Sequence, residues 1–127
     1  DPDNPTLKLR AARARGGKGE YILMTCDRAG TRPSPEQIDT MCNSFKEAIA
    51  LDPYLADPYW DLAVIHARFL DQPDQAAGYL EQWLQLAENP GPEPYVLLGQ
   101  AYYQLGRLDE AAVHFRWSDD WLPADPG

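Results

Sequence analysis

The sequence is poor in the residues that build most catalytic or cross-linked sites. It has two cysteines, Cys26 and Cys42, and two histidines, His66 and His114, in 127 residues. Two thiols sixteen positions apart cannot make a disulfide framework, and without two further ligands nearby they cannot make a zinc site. Buried or half-buried free thiols are expected. No apolar run approaches the roughly 18 residues that would cross a membrane. There is no phosphate-cradling glycine loop and no dinucleotide fingerprint. Positive charge is also scarce, with 11 Lys and Arg against 20 Asp and Glu and a net charge of -9. The deficit is uneven. Residues 1–33 carry seven basic and four acidic side chains, whereas residues 34–127 carry four and sixteen. An acidic body of that size repels phosphate and argues against nucleic acid over most of the surface. The basic exception is Lys8 to Lys18, with five cations and no interleaved aromatic. It reads as the first turns of a solvated helix or as an arm docking on the acidic body, with an anionic contact as the alternative.

What the sequence does hold suffices for one packed domain, since 44% of residues are apolar and 11% aromatic. The first residue is Asp1 rather than Met, so a leader or a longer N-terminal region stays open. Helical periodicity dominates. Tyr95, Leu98 and Tyr102 form one stripe, closed by Gly106; Leu108, Ala111, Ala112, Phe115, Ser118, Trp121 and Leu122 form a second, stopped by Pro123. The preceding stretch repeats the pattern. Asp57 is read as an N-cap before Pro58, followed by the stripe Tyr59, Leu62, Ala63 and His66. After a break at 70–73 comes a helix with Ala76, Leu80, Trp83, Leu84 and Ala87, ending near residues 88–91. Leu62 to Leu98 and Ala63 to Gly99 are both steps of 36 residues. Upstream, Ser34-Pro35-Glu36-Gln37 is a capping-type start for a helix carrying Ile38, Met41, Cys42, Phe45, Ala48, Ile49 and Leu51, stopped by Pro53.

Gly99, Ala101-Tyr102-Tyr103, Gly106-Arg107-Leu108-Asp109-Glu110-Ala111 and Phe115 through Pro123 together resemble a tetratricopeptide repeat (TPR). Residues 56–91 are similar to the same repeat, with Ala63 for its glycine, His66 for its aromatic, Trp83 for a late small residue and one extra residue in the turn. Phe45 to Pro53 is similar to its second helix. A degenerate first helix is read at Glu20 to Arg28, followed by an enlarged turn, Ala29 to Pro35. Asp1 to Pro5 looks like the tail of a preceding repeat or a proline-stiffened terminus. The resemblance implies an all-α, right-handed α-solenoid of about three helical hairpins, with repeats at about 18–55, 56–91 and 92–126. Residues 18–127 then form the domain, and 1–17 a basic, partly irregular N-terminal segment.

In that family the first helix of each repeat lines a concave groove. The resemblance places Asp57, Trp60, Val64, Ala67 and Arg68 there from the middle repeat, Glu93, Val96, Gln100, Tyr103 and Gln104 from the last, and Ile22 and Cys26 from the first. Trp60 and Tyr103 are side chains of the kind that anchor interfaces, although Trp60 packing against a neighbouring helix is an equal alternative. The family's carboxylate clamp uses Lys and Asn where this chain has Trp60, Val64, Val96 and Gln100, with only Arg68 basic, which removes that chaperone function. A peptide with aliphatic side chains suits the groove, and the acidic rim at Asp57, Asp61 and Glu93 favours a basic one.

Trp121 and Leu122 would leave the last repeat with an apolar end, expected to meet a partner or a second copy within a larger complex, or to mark a truncated chain. His66 is read as a core residue, and His114 has no nucleophile or paired carboxylate at a spacing that presents a triad. Asp109-Glu110 and Asp119-Asp120 point in different directions on a helix. No catalytic, metal or cofactor site is expected. The reading is a non-catalytic interaction module binding a peptide or protein through Trp60, Val64, Arg68, Val96, Gln100, Tyr103, Gln104 or Trp121. The alternative is an adaptor whose residues 8–18 contact nucleic acid or anionic lipid.

Overall fold

The structure is a computed structural model and describes residues 4–120, with side chains through Ser118. Six helices follow one another with no strand among the described residues: α1 (Pro5–Ala29), α2 (Pro35–Leu51), α3 (Asp57–Arg68), α4 (Pro73–Leu86), α5 (Glu93–Gln104) and α6 (Leu108–Asp120). Proline is plentiful because it starts helices. Each of α1 to α5 carries one in its first two positions, where the missing N–H costs nothing and φ is already helical.

The basic segment, expected as the first turns of a solvated helix or as a partly irregular docking arm, is the first half of α1. Asn4 Oδ1 accepts from the N–H groups of Thr6, at 2.9 Å, and Leu7, at 3.4 Å, and starts a 25-residue helix ahead of the basic stretch. Gly30, with φ of 66°, ends it, and the N–H groups of Gly30 and Thr31 return to the carbonyls of Asp27 and Cys26. Gly16, Gly17 and Gly19 would weaken an isolated helix. Gly19 is a site of close approach to α2, and Gly16 lies in ordinary contact with it. A Cβ at Gly19 would lie 2.7 Å from the Phe45 ring, and one at Gly16 would meet the Ala48 methyl at 3.7 Å. The buried Ser44 hydroxyl accepts from the Gly19 N–H at 3.1 Å and donates to the Arg15 carbonyl, so its polar group is satisfied by the backbone of α1.

The Ser34 and Gln37 capping box forms as the sequence suggests, with reciprocal bonds of 3.1 and 2.8 Å at the head of α2. At α3 the cap is Ala56, and Asp57 lies one position on, in the first turn; the Tyr59 hydroxyl ties this start to the Pro53 carbonyl at 2.8 Å. Gly106, with φ of 77°, makes the turn between α5 and α6.

Helices pair as α1 with α2, α3 with α4 and α5 with α6, and neighbouring pairs meet through α2 against α3 and α4 against α5. That is the layout of a helical solenoid. Two apolar clusters fill it. Ile38, Met41, Phe45, Leu62 and Ile65 join the first two hairpins; Ala63, Ala77, Leu80, Leu98, Ala101, Tyr102 and Ala111 join the last two. Cys26 is buried and Cys42 half-buried, both unpaired, and burial pushes the Cys42 thiol up from its ordinary value, so it stays protonated at neutral pH.

Candidate interaction groove

The helix pairs set the register of the site. Gly99 on α5 sits under Phe115 of α6, with a notional Cβ 2.6 Å from the ring, just as Gly19 on α1 sits under Phe45 of α2. Gly99 and Phe115 are 16 residues apart, as are Ala63 and Tyr79; Gly19 and Phe45 are 26 apart. The first hairpin therefore takes up ten extra residues in the longer α1 and its turn, and Gly19 is the counterpart of Ala63 and Gly99. Counting from Gly19 brings Glu20 level with Val64 and Gln100, and Leu23 level with Ala67 and Tyr103.

On the face built by α1, α3 and α5, three cavities run into one another. The largest, about 620 Å³, is lined by Glu20, Leu23, Met24, Asp27 and Arg28 of α1, by Trp60, Asp61, Val64 and Arg68 of α3, and by Glu93 and Leu97 of α5. Toward the start of α3 it shares Glu20, Trp60, Asp61 and Glu93 with a cavity of about 480 Å³. Toward the end of α3 it shares Val64, Arg68 and Leu97 with one of about 210 Å³ that reaches Gln100 and Gln104.

Trp60 packs against a neighbouring helix and also borders the groove. It is half-buried, its ring centroid 4.9 Å from that of Trp83 on α4 at an interplanar angle of 55°, and it packs on the second apolar cluster while lining two of the cavities. Val64, Arg68, Gln100 and Gln104 also line the groove, with the Arg68 guanidinium 5.4 Å from the Phe69 ring centre. Val96 and Tyr103 line none of these three cavities; Val96 is half-buried and Tyr103 is 65% exposed beside Gln104. Trp121 lies outside the described residues. Ile22 packs into the first apolar cluster, and Cys26 is buried with its thiol 4.0 Å from Gln37 Oε1. From α1 it is Glu20, Leu23, Met24 and Asp27 that reach the groove, because the register starts at Gly19. The signal that finds them is the Gly19 and Phe45 pair. Leu97 and Trp83 complete the lining.

Electrostatics polarise the groove. Asp61 is pushed up to about 7 by burial first, then by the neighbouring charges of Glu20 and Asp57. Among the described residues, Glu20, Asp57, Asp61 and Glu93 have no ion-pair partner and no side-chain hydrogen bond. Nor do any three His, Cys, Asp or Glu side chains among the described residues converge as metal ligands. Cations stand at the other end, where Arg28 and Arg68 border the wide cavity.

The histidines are held by packing. His66 is buried, stacked on Tyr79 at 5.5 Å, and its Nδ1–H donates to Gln72 Oε1 at 2.7 Å. His114 donates from Nδ1 to the Glu110 carbonyl at 2.7 Å and lies between the rings of Tyr102 and Trp117. Tyr102 donates its hydroxyl to Glu81, and burial together with that carboxylate lifts the phenol to about 12.

Residues 92–116 match the tetratricopeptide repeat family. No curated protein matches the chain by sequence. Among solved structures, MamA shares the fold with a TM-score of 0.70 and 22% identity, over 86% of this chain and 57% of its own. The TPR domain of Arabidopsis OM64 has a TM-score of 0.71 and 22% identity, over 94% and 88%. TTC0263, a thermophilic TPR protein of Thermus thermophilus, has a TM-score of 0.66 and 25% identity, over 94% and 62%. The chain thus spans under two thirds of the length of MamA and of the Thermus protein.

Proposed function

We propose, for a chain whose residues 92–116 match a tetratricopeptide repeat and whose helices stack as in solved TPR solenoids, that the groove of α1, α3 and α5 holds a segment of a protein partner. The coarse role, a protein–protein interaction module rather than an enzyme, follows from the repeat and the fold. The groove as its site rests on one observation: Trp60, Val64, Arg68, Gln100 and Gln104 line a single run of connected cavities, with Leu97 between them. A half-buried tryptophan beside small apolar and amide side chains is the composition of an interface centre, where a few residues carry most of the affinity. Arg68 and both glutamines project from helices fixed by packing, so binding orders their side chains without ordering the backbone.

Affinity capture with the intact protein tests this reading. Wild type is compared with Trp60→Ala, with Gln104→Glu, which leaves the core untouched, and with Gln82→Glu on the exposed face of α4 as control. Proteins lost from both groove variants and kept by the control support the groove; proteins kept by all three place binding elsewhere. The adaptor alternative, with residues 8–18 on nucleic acid or anionic lipid, rests on charge alone. One face of that stretch is turned onto α2, and Arg15 lies 3.6 Å from Glu47.

A further inference from the structure

The two ends of the groove differ in chemistry. At the head of α3 the cavity of about 480 Å³ is walled by the Trp60 and Trp83 rings and bordered by Glu20, Asp57, Asp61 and Glu93, contributed by three different helices. None of these carboxylates has a cationic partner among the described residues, and they do not close on a point as a metal set would. A concavity lined by one sign of charge concentrates its field. Indole faces add attraction for a cation, most strongly where water is displaced. The complement of that end is a monovalent organic cation on a flexible stem, able to lay its methylenes on the rings and its head among separated carboxylates.

Further along, the cavity of about 210 Å³ has walls of Ala63, Val64, Ala76, Leu80, Leu97 and Ala101 and is bordered by Arg68. It offers apolar contact with no acidic side chain in its lining. Trp60 and Asp61 at one end and Val64 and Leu97 at the other line the same connecting cavity, so one extended chain can reach both.

We infer that the groove selects a partner segment carrying a Lys or Arg side chain, held at the Trp60 and Trp83 end, followed by an aliphatic side chain seated between α3, α4 and α5. This rests on the groove reading above and names its ligand class. Charge complementarity and the separation of the two cavities carry it. A free polyamine would satisfy the first cavity only.

The test uses the intact protein, 15N-labelled, with its two groove indole N–H signals assigned, and synthetic peptides of glycine and serine carrying Lys and Leu two, three or four positions apart. Matched peptides replace Lys by norleucine or Glu, or Leu by Ser, and butylammonium stands for the free cation. The expected result is a shift of the Trp60 and Trp83 indole signals by the Lys and Leu peptide of best spacing. Its Kd should rise roughly tenfold on Lys→norleucine and again on Leu→Ser, equivalent to about 1.4 kcal/mol for each step. The isosteric pair Asp61→Asn and Glu93→Gln should weaken the Lys peptide by about the same factor and leave the norleucine peptide unchanged. Equal or tighter binding of the Glu peptide at the indoles overturns the cation preference while the groove stands. Equal binding of the Ser peptide, or of butylammonium, overturns the aliphatic seat. If no peptide moves either indole the inference falls, and the capture experiment decides separately whether the groove reading falls with it.

Discussion

Asp61 is where burial and the proposed cation binding oppose each other most directly. Its carboxyl rises from its ordinary 3.8 to about 7 in the folded chain, so between those pH values the unfolded state has released a proton that the folded state keeps. Folded stability therefore falls as pH climbs through that window, and the loss is complete above it. Asp61→Asn should raise Tm at pH 8 and change it little at pH 4, as scanning calorimetry would read. Binding has the opposite sign. A cation in the groove favours the ionised form, so affinity for a Lys-bearing peptide should increase from pH 6 to pH 8 in wild type and be flat in Asp61→Asn. After burial, the charges that hold this midpoint up are those of Glu20 from α1 and Asp57 from its own helix; Glu93 from α5 lines the same cavities, and Arg28 and Arg68 border the wide one.

Glycine separates packing from propensity at the same scale. A methyl at Gly99 would press on the Phe115 ring at 2.6 Å, whereas one at Gly78 on α4 meets nothing within 4 Å. Gly99→Ala should cost about 1–3 kcal/mol in urea unfolding. Gly78→Ala should add about 0.5–1 kcal/mol, because it removes chain entropy from the unfolded state without a clash.

At the scale of elements, five of the six helices were legible in the sequence because each carries its own punctuation. Ser34 and Gln37 write the start of α2, Pro58 and Pro73 those of α3 and α4, and Gly106 the turn before α6. For α1 the second half was read as a helix, and the basic stretch from Lys8 to Lys18 was left open between the first turns of a solvated helix and a docking arm. Its glycines look like breakers, and what holds them in a helix is the Phe45 ring, the Ala48 methyl and the Ser44 hydroxyl on a helix some 25 positions away. Local pattern carries no trace of such a tertiary contact. The first-repeat groove positions implied by the resemblance, Ile22 and Cys26, face the core, whereas Glu20 and Met24 line the groove and Leu23 lines it while also packing on the first apolar cluster. Ser44→Ala removes the partner of two α1 backbone groups and should cost about 1–3 kcal/mol. Amide exchange should then speed up around Arg15 to Gly19 more than in α5.

Over the whole molecule, stability passes from hairpin to hairpin through α3. Leu62 and Ile65 belong to the cluster shared with α2, Ala63 belongs to the cluster shared with α5, and Tyr79 touches both. A solenoid gains its stability from such nearest-neighbour interfaces. The groove was only partly legible for the same reason. The 36-residue period places Val64 and Gln100 on one face, but Trp83 enters from α4, and Leu97 reaches the cavities where Val96 does not. Helix rotation of that size is fixed by side-chain packing between hairpins.

Amide hydrogen exchange of the full chain, with and without a partner recovered by groove-dependent capture, tests the site of binding most directly. Protection confined to α1, α3 and α5, strongest from Glu20 to Met24, Trp60 to Arg68 and Leu97 to Gln104, is the result the groove predicts. Protection concentrated on α2, α4 and α6, with those segments exchanging as in the free chain, would contradict it.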